Sequence, residues 1–368
     1  MKKALLFSRF FVGILFIFSG LIKANDPMGL SYKMQEFFEV WGWHFMNDWT
    51  LAMSILMIAF EIIAGVAVII GWQFAIFSWL LLLLILFFTF LTGYALFSGE
   101  IRECGCFGDC IKLKSEESFI KDIILTFFIL FLFAKRSTVT TIGSNKSGWI
   151  IMVITVIFSF LSQWYVLRHL PFIDCLPYKV GVDINEGRKI PAGAIPDSTV
   201  ITFVYRNNNK KVEFDADHFP SDFSDSTYTF IERYDKIVRK GNAIPPIKDF
   251  MFVNSNNIDT TEDLLHKDGK IVVVFAKTWK SQWSKDIHEL NELAKSKKIN
   301  LIIASARPDI ARTMVSDIPV MSSDFVAIKT AARVDPTIYI LEKGVIVGKW
   351  ALPDMKKTKK FLVKTDSN

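Results

Sequence analysis

Glu103-Cys104-Gly105-Cys106-Phe107-Gly108-Asp109-Cys110 lies between two long apolar runs, residues 73–97 and 119–134. A short polar loop with such neighbours reads as the link between two membrane-crossing helices, so this stretch places the chain among helical membrane proteins. It also holds three of the chain's four cysteines. Thiols this concentrated point to thiol chemistry or a metal rather than to packing.

Working outward, apolar segments fall near 4–22, 51–71, 73–97, 119–134 and 149–167. Each approaches the ~20 residues that carry a helix through a bilayer. Lys121 and Asp122 sit near the start of the fourth, and a helix beginning near Ser118 leaves them at the interface. Lys2 and Lys3 precede the first segment and Lys23 closes it with no small-residue cleavage site, which favours an uncleaved anchor over a signal peptide. Five spans put the chain ends on opposite sides. Lys2, Lys3 and Arg9, with Lys135, Arg136 and Lys146, then mark the cytoplasmic side of a bacterial-type inner membrane. The N-terminus is expected in the cytoplasm and the C-terminal domain in the periplasm. All four cysteines, including Cys175 just past the fifth span, share the oxidising side.

Charge is scarce before residue 170 and frequent after it. The division expected is a membrane bundle over 1–170, a β-rich connecting segment over 171–241 and an α/β domain over 242–368. The net charge of +6 is dispersed among acids without a basic stripe, so the lipid bilayer is the expected partner and nucleic acid is excluded.

Cys104 and Cys106 flank one glycine, and closing that pair makes a small, strained ring that exchanges readily. Cys110 and Cys175 are candidates to resolve a mixed disulfide or to form a structural bridge. Spacing alone leaves the pairing open. A metal held by Cys104, Cys106 and Cys110, joined by His44 or Asp109, is a lesser reading because the spacing is not that of common zinc knuckles. Glu61 lies mid-span. It reads either as a proton acceptor beside a redox site or quinone, or as a structural partner of Arg9 or another polar neighbour. Arg9 is close enough to the cytoplasmic end to snorkel.

Beyond Cys175, residues 200–214 read as a β-hairpin. Residues 271–275 and 300–304 read as buried parallel strands. Ile287, Leu290 and Leu293 give 284–296 a helical face, and 334–350 read as a second hairpin. Trp279 and Trp283 are either docking anchors or core.

Two resemblances follow from these residues. Arg9-x3-Gly13-x2-Phe16-x2-Ser19-Gly20-x2-Lys23 resembles the opening helix of DoxX-type membrane proteins, and the Cys-Gly-Cys-Phe-Gly run resembles MauE. The DoxX/MauE resemblance covers roughly 1–135 and implies a redox-associated four-helix core, here with a fifth span. It further implies thiol–disulfide or electron transfer in envelope protein maturation, through Cys104, Cys106, Cys110 and Cys175 with envelope thiol or redox proteins as partners. A quinone acceptor enters only by analogy. From residue 242 the element order, with Pro336 where a cis-proline is expected, resembles a thioredoxin fold. Lys280 and Trp283 stand where that family has its two cysteines, so the domain has no dithiol of its own. The competing reading is a non-catalytic scaffold with structural disulfides.

Overall fold

The computed structural model describes residues 2–101, 105–207, 210–216, 218–224, 226–239 and 241–364, so Cys104 lies outside the described residues. The N-terminal part is helical: α1 (Lys2–Ala24), α2 (Pro27–Val40), α3 (Thr50–Ile70), α4 (Phe74–Ser98), α5 (Ser115–Ala134) and α6 (Asn145–Arg168). By length and composition α1, α3 with its lead-in from His44, α4 and α6 are fit to cross a membrane. α5 carries Glu116, Glu117, Lys121 and Asp122, yet it runs antiparallel to α4 from end to end. Phe119 meets Phe97, Thr126 faces Thr89 and Phe133 meets Trp79.

Between the first two apolar segments the structure makes all of 27–40 helical. The reason is local. Asp26 accepts a hydrogen bond from the Gly29 amide at 3.0 Å, and Pro27 opens the helix with its φ already set.

α1 and α3 cross with their backbones almost touching. A Cβ on Gly65 would lie 2.7 Å from the Gly13 carbonyl oxygen, and one on Gly13 2.8 Å from that of Gly65. Lipid tails are as apolar as leucine, so close packing of this kind, rather than apolar burial, holds such helices together. Arg9 does not snorkel. It is buried and donates to the carbonyls of Val68 (3.2 Å) and Ile69 (2.8 Å) in the last turn of α3, where the Gly71 amide also donates to Val68.

After Cys175 come α7 (Ile184–Gly187) and the strands β1 (Ser198–Asn207), β2 (Lys210–Asp215) and β3 (Thr229–Arg239). These strands form an antiparallel sheet in the order β2-β1-β3, and β1–β2 is the expected hairpin. There follow α8 (Thr261–Leu265), β4 (Lys270–Ala276), α9 (Ser281–Ser296), β5 (Asn300–Ser305) and α10 (Pro308–Met314). The chain continues with β6 (Val320–Ser322), α11 (Phe325–Ala331), β7 (Thr337–Glu342), β8 (Val345–Ala351) and α12 (Met355–Lys364). Their sheet has the order β6-β5-β4-β7-β8, with β4, β5 and β6 parallel and β7 and β8 antiparallel. The Asp335–Pro336 peptide is cis.

Both faces of this sheet are covered, which is why β4 is an unbroken apolar run. Val272 and Val274 pack with Ile287 of α9 and Leu362 of α12; Val273 and Phe275 pack with Ile328 of α11. Two sequence expectations change here. Trp279 and Trp283 are 3% and 7% exposed and belong to the α9-side core, so they are not surface anchors. Tyr178 and Ile184 belong to the opposite core, so a boundary at residue 242 cuts through packed side chains. The chain enters the α/β domain soon after Cys175, leaves it for the β1–β3 sheet and then returns.

Replacing Gly65 with Leu is expected to destabilise the bundle by at least the ~1–3 kcal/mol typical of overpacking. Ala52→Leu, on the exposed side of α3, should have little effect. Thermal unfolding of both variants in detergent checks this.

Candidate thiol site at the mouth of the helical bundle

The site begins with a turn. Gly105 and Gly108 adopt left-handed φ of 70° and 57°, and the Gly108 amide donates to the Gly105 carbonyl at 3.0 Å. Cys106 and Phe107 occupy the two corners of this turn. Side chains other than glycine pay to adopt such φ values, so the glycines are what allow a cysteine to be presented this tightly. Phe107 rests against Phe18, with ring centres 5.9 Å apart.

A polar chain runs inward from Cys106. Its carbonyl accepts from the Ser19 hydroxyl at 3.1 Å, and that hydroxyl also lies 2.9 Å from Glu61 Oε2. One hydroxyl proton therefore serves two acceptors. Lys23 Nζ closes on Glu61 Oε1 at 2.5 Å, with both side chains almost wholly buried. The partner of Glu61 is thus Lys23 and not Arg9. Ser19 and Lys23 stand one helical turn apart on α1, on the face turned to α3.

Lys121 and Asp122 form a second pair. α5 starts at Ser115, earlier than Ser118, so the two fall in its second turn. Asp122 is fully buried and accepts from Lys121 Nζ at 2.6 Å and from the Thr92 hydroxyl at 3.1 Å. These groups and Cys106 form the polar end of a cavity with about 920 Å³ of empty space, part of it open to the exterior. Lys33 also lines it, and the remaining walls are mainly apolar and aromatic, including Met57, Phe88 and Leu125. Lys23 lies over the Phe88 ring at 4.9 Å.

Cys110 and Cys175 are joined in a disulfide that ties the cysteine loop to the chain leaving α6. The residue before each cysteine pairs with the α/β domain. Asp109 binds Arg333, which also lies 2.9 Å from Asp26; Asp174 binds Lys349 at 2.6 Å. Arg333, Lys329 and Lys277 gather around the Tyr32 ring of α2, and Lys277 Nζ donates to the Tyr32 hydroxyl at 3.1 Å. The Lys277 amide in turn donates to Asp335 beside the cis peptide. Burial lowers the Lys277 pKa and raises those of Tyr32 and Asp335. The domain edge beside Pro336 is therefore turned onto the bundle.

Among the described residues no group of three or more His, Cys, Asp and Glu is placed to hold a metal ion. Of the sequence candidates, Cys106 and Glu61 converge through Ser19, Cys110 and Cys175 are bonded to each other, and Cys104 is outside the described residues. Lys23, Lys121, Asp122 and Arg333 were missed as site residues. Serine and lysine four apart on α1, opposite a mid-span glutamate, was the available signal for Lys23.

Residues 1–135 match the family model of the methylamine utilisation protein MauE. With the four apolar helices, that match supports a MauE-type, multi-pass membrane protein. The MauE-like region spans α1 to α5 and contains Cys106 and Cys110. A second model, a domain of unknown function (DUF8463), matches residues 199–240, which are the three-stranded sheet. Neither match reaches the five-stranded domain. No curated protein and no solved structure matches the chain.

Removing one member of the Lys23–Glu61 pair leaves a buried charge uncompensated, at a cost of about 3–5 kcal/mol. Lys23→Met and Glu61→Leu are each expected to destabilise the MauE-like bundle strongly, and the double variant less than the sum. Chemical unfolding in detergent, analysed as a double-mutant cycle, measures the coupling.

Proposed function

We propose that this chain is a MauE-like thiol–disulfide exchange protein of a bacterial-type inner membrane, acting as a thiol–disulfide oxidoreductase on envelope proteins. One observation carries the reading: Cys106 stands at the corner of a two-glycine turn, at the mouth of an apolar cavity whose polar end is built from ion pairs. Structural staples do not require such surroundings.

The reactive disulfide pairs Cys106 with Cys104. A thiolate of an envelope protein attacks one of these sulfurs, forming a mixed disulfide and releasing the other sulfur as a thiolate. A second thiolate of the same protein then displaces the first sulfur. The envelope protein leaves oxidised by two electrons, and Cys104 and Cys106 keep both electrons as thiolates or, after taking up protons, thiols. The Cys110–Cys175 bond resolves or reloads this pair, or simply holds the loop in place. The cavity suits a membrane-dissolved quinone, with aromatic walls for its ring and the Lys23 and Lys121 ammonium groups as donors to its oxygens. When bound, such a group supplies a two-electron, two-proton acceptor.

The α/β domain is thioredoxin-like in its element order and cis-proline but lacks thiols. Its role is to hold and cover the outer face through Arg333, Lys349 and Lys277. α5 makes a fifth crossing, supported by its full-length contact with α4. The N-terminus is then cytoplasmic and the α/β domain periplasmic. A link to methylamine utilisation rests on the family match alone.

The second reading, a non-catalytic scaffold, is favoured by the thiol-free domain being ion-paired to its own bundle. Acid quenching of cells followed by mass-tagged maleimide separates the two. Wild type should show partly reduced Cys106 and mixed disulfides that disappear in Cys104→Ser and Cys106→Ser variants. Cysteines that stay fully oxidised, form no mixed disulfides and resist mild reductant would leave the scaffold. For topology, a reporter fused after Asn368 is expected to read out in the periplasm, and a cytoplasmic signal contradicts five crossings.

A further inference from the structure

Lys121 balances the fully buried Asp122 carboxylate at 2.6 Å, and it also faces the cysteine turn. It stands in the second turn of α5, facing a largely apolar cavity, where a charge is expensive. Its neighbour Asp122 has a second donor in Thr92. The Lys121 ammonium lies 5.4 Å from the centre of the Phe107 ring, next in sequence to Cys106, and both Lys121 and Cys106 line the cavity.

We propose that Lys121 is a positioning residue that holds the Cys106 sulfur as a thiolate. The proposal rests on the exchange reading above, and it names the group that makes Cys106 reactive there. The charges facing this turn come from every packed element. Lys23 is tied to Glu61 at 2.5 Å, Lys33 of α2 to Glu36 at 2.7 Å, and Asp109 to Arg333. Lys121 is tied to Asp122 at 2.6 Å, and its ammonium shares the cavity with Cys106 and lies beside Phe107, the next residue of the turn. A sulfur at the edge of an apolar cavity would otherwise be driven toward the neutral thiol by burial, and a nearby cation reverses that. In the ionisation the S–H bond breaks, the electron pair stays on sulfur and the proton leaves to water. A stabilised thiolate also favours the reduced form, making the cysteine pair a stronger oxidant of its partners.

The test uses the full chain in detergent, reduced with dithiothreitol and freed of it, then pulsed with iodoacetamide between about pH 5 and 10. Mass spectrometry of the Cys106 peptide gives the midpoint of its alkylation. Wild type should show a midpoint below the ~8.5 of an ordinary cysteine. Lys121→Met should raise it by about one pH unit or more, Lys121→Arg should largely restore it, and Lys295→Met, on the exposed face of α9, should leave it in place. An unchanged midpoint in Lys121→Met overturns the proposal. If that variant does not fold, Asp122→Asn keeps the ammonium while removing its counter-charge, and should lower the midpoint; a constant or raised midpoint overturns the proposal equally. Alkylation needs no protein partner, so the outcomes are separable. A Lys121-dependent midpoint in a chain that never forms mixed disulfides sinks the exchange reading and leaves this one standing.

Discussion

The Lys23–Glu61 pair puts two opposite charges 2.5 Å apart between α1 and α3, where both side chains are sealed from solvent. Lone charges there would cost several kcal/mol each, so the two helices must hold the register that brings them together. Gly13 and Gly65 make that register possible by letting the backbones touch, and Arg9 secures the far end of α3. Ser19 then connects the pair to the Cys106 carbonyl. The position of the cysteine turn is in this way set by an interaction buried in the bundle, not by the loop itself.

Above the bundle, one disulfide and two ion pairs converge. Cys110–Cys175 fastens the loop to the chain leaving α6, and Asp109 and Asp174, each the residue before a bonded cysteine, reach Arg333 and Lys349. These contacts turn the cis-proline edge of the α/β domain onto α2, where Tyr32 sits under three cations. The α/β domain uses this edge to grip its own membrane module.

The helices and strands were largely legible because their periodicities are local properties. Spans near 4–22 and 149–167 and the strand at 271–275 lie within the observed elements, 73–97 begins one residue before α4, and 51–71 overruns α3 by one residue. The short helix over 27–40 was not legible, since its apolar pattern is weak and its start depends on the Asp26 cap. The partners of Lys121 and Asp122 were not legible because hydropathy reports that charges are present, not which neighbours receive them. The Trp279 and Trp283 side chains had no direction until α9 packed on the sheet.

By itself, the sequence determined that apolar helices precede an α/β domain, that glycines flank Cys106, and that no thiol remains at the Trp279–Trp283 segment. Those are matters of residue type and spacing along one chain. Only the tertiary structure decided that Glu61 answers to Lys23, that Cys110 bonds Cys175, and that Lys121 faces the Cys106 turn. Each of these joins residues distant in the chain, and in an apolar interior the nearest opposite charge or thiol, wherever it lies in sequence, governs what a buried group does.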